Sequence, residues 1–201
     1  MSGALQISRN VSLAMSRDDQ QSSTQPPTPL SSTPGHLTAL IRHFNDLRDN
    51  THGGSVSRRD KETHFVHAVE LLDPFARQTL AEMNTYLLLN TGSVVATGLQ
   101  RDNEGGLRAS WNLAWPEEQT AGVAPVTLLA YYGFGFHHPH LRGATVGDWP
   151  LNVFTTRDAA DQLPIMRAIA AADLHNLVFQ ADYRIVPAVT RPSPEPHRRS
   201  T

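Results

Sequence analysis

Apolar residues first fall into step at Leu37, Leu40, Ile41, Phe44 and Leu47, a spacing of three and four that predicts a helix over His36–Asp49. The polar, glycine-bearing stretch Asp49–Ser55 ends it. Phe65, Val66, Val69, Leu71 and Leu72 predict a second helix. It should stop at Asp73, because a residue before proline is pushed out of the helical region. Asp73 then caps a third helix with Pro74 at its first position and with Phe75, Leu80, Met83 and Leu87 facing inward.

Beyond Asn90-Thr91-Gly92 the period changes to two. Ser93–Gln100, a turn over Arg101–Gly106 and the alternating arm Leu107, Ala109, Trp111, Leu113, Trp115 predict a β-hairpin. The unbroken apolar run Val126–Phe136 predicts a central strand buried on both faces. A short extended piece, Trp149–Phe154, follows. A helix from Thr156 to Ala172, kinked at Pro164, then precedes a last strand over Leu174–Val186. Together these elements give an α+β fold: a mainly antiparallel sheet of about four strands with helices packed on one face.

Composition sets the boundaries. Residues 1–36 are rich in Pro, Ser, Thr and Gln, bury too little apolar surface to offset ordering entropy, and are expected to form a disordered arm. Residues 190–201 read as a disordered tail, which leaves one domain over 37–189. A net charge of -2 over 201 residues gives no electrostatic footprint for nucleic acid. No run approaches the ~20 apolar residues of a membrane span. The expectation is a soluble, cytoplasmic protein without nucleic-acid or membrane partners, with homo-oligomerisation left open. The absence of cysteine excludes disulfides, thiolate nucleophiles and thiolate metal sites, so any metal must be held by imidazole and oxygen.

Chemistry concentrates after the central strand. His137, His138 and His140 fall within four positions, followed by Arg142 and Asp148. Imidazole is the side chain most ready to bind a metal or move a proton near neutral pH. In an extended segment His138 and His140 share a face and His137 points the other way. A divalent metal ion is therefore the candidate cofactor, with His137, His138, His140 and His175 as candidate ligands. Asp148, Glu117 or Glu118 could also complete the set. Without a metal, His138 or His140 would act as general base, Arg142 would hold a substrate carboxylate or phosphate, and Asp148 would orient an imidazole. His64 and His67, three apart on a helix, read as a half-exposed face. Nucleotide-binding glycine loops, the nucleophile elbow and the zinc-protease helix motif are missing from the sequence.

Two functions fit this pattern. One is a small soluble enzyme with a histidine-centred site. It would perform acid/base or metal-assisted chemistry on a small, partly apolar substrate, with an anionic one as an open option. The other is a non-catalytic subunit or adaptor that assembles with a protein partner through its domain and its N-terminal arm.

Overall fold

The computed structural model describes residues 33–191. The expected disordered arm up to Ser32 and the expected tail beyond Arg191 lie outside the described residues. Gly35 and His36, assigned to the arm from composition, belong to the first helix, α1 (Gly35–Asp49).

The fold is α+β around an antiparallel sheet. The strands are β1 (Ser93–Ala96), β2 (Gln100–Arg101), β3 (Leu107–Ala114), β4 (Val126–Tyr132), β5 (His140–Arg142) and β6 (Trp149–Pro150). The path runs β1-β3-β4-β5-β6, with β2 also paired to β3. The predicted hairpin is present: Ser93 pairs with Ala114, Ala96 with Trp111 and Gln100 with Arg108. The sheet has six strands rather than about four. The excess comes from two- and three-residue strands, too short to leave a periodic signal.

The expected two-sided central strand is one-sided. Val126, Leu128, Ala130 and Tyr132 are buried, while Thr127, Leu129 and Tyr131 are only partly covered. Leu107, Ala109, Trp111 and Leu113 of β3 continue the same inner face. Against that face lie α2 (Arg58–Tyr86) and α5 (Leu163–Gln180). Shorter helices, α3 (Pro116–Ala121), α4 (Thr156–Asp161) and α6 (Pro187–Thr190), complete the described chain.

Two expectations about helices are overturned. Pro74 does not start a new helix; it sits on the exposed side of a continuous α2. Phe65, Ala68, Val69, Leu72, Ala76, Leu80 and Met83 form one buried stripe across it. Its Phe, Val, Leu and Met side chains are each worth roughly 1.5–3 kcal/mol when fully buried, so the stripe outweighs the ~3 kcal/mol cost of an interior proline. Asp73, instead of capping, accepts from the Arg77 guanidinium and from the Trp111 indole at 2.8 Å. The predicted last strand is helix through Gln180. Met166, Ile169, Ala170, Asp173, Leu174 and Leu177 are buried at helical spacing, whereas Phe179 is 78% exposed and Tyr183 58% exposed. The alternation read there was a coincidence of apolar residues on a helix end.

Candidate functional site

The histidine segment links β4 to β5. Arg58, in the first turn of α2, shapes its start: the guanidinium stacks on the Tyr132 ring and donates to the carbonyls of Tyr132, Gly133 and Phe134. Downstream, Pro139 accepts from the Leu151 amide, fastening the segment to the chain after β6. His137 is exposed, its Nδ1 3.2 Å from Asn50 Oδ1. His138 points inward and is 2% exposed. His140 opens β5, half-buried between the rings of Tyr131 and Phe136.

His138 does not meet the partners expected from its neighbourhood in sequence. It meets the segment that follows α1. Its Nε2 lies 2.8 Å from the Thr51 carbonyl. A carbonyl only accepts, so neutral His138 carries its proton on Nε2 and keeps the Nδ1 lone pair free. Metal-bound histidines are commonly held by such a second bond to a carbonyl. Its ring stands 4.9 Å from that of His43 and 5.7 Å from that of His52. With His52–His64 at 6.3 Å and His43–His140 at 6.2 Å, five imidazoles form one contiguous cluster.

His52 is placed by a turn. His52 and Ser55 exchange both backbone hydrogen bonds across Gly53 and Gly54, whose φ angles are +58° and +80°. Positive φ at both central residues is the two-residue hairpin geometry that glycine permits. Asp46, on α1, is tied to the same turn. Its Oδ1 accepts from the Thr51 hydroxyl at 2.9 Å and its Oδ2 from the Gly53 amide at 3.4 Å. His52 Nδ1 is 3.8 Å from Asp46 Oδ2 and, among the described residues, has no hydrogen-bond partner although it is buried.

One oxygen of Asp46 and one ring nitrogen each of His52 and His138 lie within 4.8 Å of one another, all three residues buried. Ligand atoms bound about 2.1 Å from one ion stand roughly 3–4 Å apart, so small side-chain rotations close the group on a metal. Burial pushes the His52 imidazolium pKa down to about 3, with the neighbouring His138, His64, Lys61 and His43 adding to it. Burial likewise pushes His138 down to about 4, aided by His43 and opposed by the Thr51 carbonyl and Asp46. Both rings are therefore neutral near pH 7, the form that donates to a metal. Lys61, also buried, gives a hydrogen bond to the Asn50 carbonyl at 3.1 Å, and burial lowers its pKa.

The other residues singled out from sequence lie apart from this group. Arg142 and Asp148 face each other at 3.8 Å on the β5 side, beside Tyr131. Burial and the Asp148 carboxylate push the Tyr131 phenol up to about 12. His175 sits on α5 with its ring 4.8 Å from Phe179. Sequence reasoning missed His43, Asp46 and His52. His43 and Asp46 are three apart on one side of α1, and His52 directly precedes a Gly-Gly turn, which is the local signal that was present. No protein-family model, no curated protein and no solved structure matches the chain.

Proposed function

We propose that this protein is a small enzyme whose chemistry is assisted by a divalent metal held by Asp46, His52 and His138. The observation that carries the reading is the convergence of one carboxylate and two neutral imidazoles, buried, with ligand atoms within 4.8 Å of one another. Two histidines and one carboxylate leave coordination positions open for water or substrate, as a catalytic rather than a closed structural site requires. The Nδ1 of His52 supports it further, since a buried polar atom that has no partner among the described residues costs stability unless it serves something. In this role the ion would polarise a substrate oxygen or lower the pKa of bound water. His43, its ring against His138 and its own pKa lowered by burial, stands ready to exchange a proton.

The test is titration of untagged, chelator-treated protein with Zn(II), Mn(II) and Fe(II), followed by calorimetry. One ion per chain should bind. Asp46→Asn and His138→Ala should each weaken it at least tenfold, since even the partners that orient metal ligands are worth about 10–100-fold in affinity. Equal affinity in wild type and both variants would sink the assignment.

A further inference from the structure

A pocket of about 430 Å³ borders the chain segments that carry His52 and His138. It is lined by Asn50, which precedes Thr51 and His52, and by His137, which precedes His138. Its size falls within the ~300–1,000 Å³ of small-molecule sites. Its mouth is apolar: Val56, Phe134 and Phe136 are 65%, 71% and 47% exposed. Its cations are unequal. Arg58 also lines the pocket, but its guanidinium is committed to Glu62, to the loop carbonyls and to the Tyr132 face. Lys61 is 4% exposed and, among the described residues, donates one hydrogen bond, to the Asn50 carbonyl. An ammonium has three donors, so two remain for a ligand.

We infer that this pocket binds the carboxylate of a small aromatic or branched aliphatic acid, with Lys61 holding the anion and Val56, Phe134 and Phe136 covering the apolar part. The inference deepens the metal-assisted reading by naming a substrate class, and it rests on that reading for the reaction though not for binding. Charge balance agrees. A divalent ion beside one carboxylate, Asp46, and one ammonium, Lys61, leaves the filled site doubly positive, because the imidazoles are neutral. An anionic ligand is the natural complement of such a site. An amine or a neutral sugar is not, since the first meets a cation and the second has too few apolar atoms for the rim.

Benzoate and its neutral isostere benzamide are the probes, read by calorimetry and ligand-observed NMR on chelator-treated and zinc-loaded protein. Benzoate should bind metal-free wild type at least tenfold more tightly than benzamide, and more tightly again with zinc. Lys61→Gln should erase the preference. Because Lys61 is buried and its loss can disturb folding, Val56→Glu serves as the second variant: it puts a like charge on the exposed rim and should also erase the preference. His52→Leu should lose zinc and keep the preference for benzoate in the metal-free state. Equal binding of benzoate and benzamide, or a preference that survives both Lys61→Gln and Val56→Glu, overturns the inference. Failure of zinc to bind while benzoate is still preferred overturns the metal reading and leaves the pocket standing.

Discussion

His52 combines two properties that a purely structural histidine avoids. It is 1% exposed, and its Nδ1 has no hydrogen-bond partner among the described residues. The groups around it are Asp46 and His43 from α1, Lys61 and His64 from α2, and His138 from the β4–β5 connection. Four of these five carry or can gain positive charge, so protonating His52 in the folded state is unfavourable. Its pKa falls from 6.5 to about 3, and that of His138 from 6.5 to about 4. Between those values the unfolded chain binds more protons than the folded one, so stability rises with pH. The contribution is full above about pH 6.5 and is lost as pH falls toward the folded values, by about 1.4 kcal/mol per pH unit for each ring. Metal-free protein denatured with urea at pH 7, 6, 5 and 4 should show this decline. His52→Leu should show a shallower slope, with His138, His43 and His140 still contributing, and at pH 7 it should be no less stable than wild type. A loss of more than ~2 kcal/mol in His52→Leu at pH 7 would mean that His52 is there for packing.

At the scale of elements, the turn His52–Ser55 is the device that aims His52 at Asp46. Gly53 has φ +58°, and a Cβ there would overlap the Phe154 ring; Gly54 has φ +80° and faces open space. A side chain in the left-handed region costs roughly 1–2 kcal/mol. Gly54→Ala should pay that cost alone. Gly53→Ala should be at least ~1 kcal/mol worse and should weaken metal binding, which paired denaturation and titration would reveal. The same turn marks the limit of what the sequence shows. Helical spacing identified α1, period-two alternation identified the β1–β3 hairpin, and the crowding of His137, His138 and His140 drew attention to the loop that carries His138. These signals are local. The partners of His138 are not: Thr51 is 87 residues away in the chain, and only folding brings it within 2.8 Å. The continuity of α2 through Pro74 and the helical state of Leu174–Gln180 were hidden for a related reason. In both, burial against β3, β4 or a neighbouring helix decides the state, overriding a local proline rule in one case and a short accidental alternation in the other.

Across the whole molecule, α1 is the weakly held piece. Leu37, Ile41, Phe44 and Leu47 are all more than 40% exposed, so its apolar stripe contributes little to the core. Polar ties hold it instead: the Ala39 carbonyl accepts from Asn152 at 3.0 Å, Arg42 meets Asp158 at 3.5 Å, and Asp46 accepts from Thr51 and Gly53. A surface ion pair and a few hydrogen bonds are worth far less than the stripe that anchors α2. Helix α1 should therefore open at lower free energy than the rest of the fold, and its amides should exchange faster than those of α2 and α5 in metal-free protein. A metal bound by Asp46, His52 and His138 would join α1 to the turn and to the β4–β5 connection. By mass action it would also stabilise the folded state by about 2.7 kcal/mol at a hundredfold excess over its dissociation constant. Hydrogen exchange followed by mass spectrometry, with and without zinc, should thus show protection gained in 35–55 and 136–140, whose local opening would release the ion. Amides of the 163–180 helix that exchange only through global unfolding should gain the same increment, because global unfolding also releases the ion, whereas local openings that keep the ion bound should be unchanged. Zinc that raises the melting temperature while leaving exchange in 35–55 untouched would be bound somewhere other than Asp46, His52 and His138.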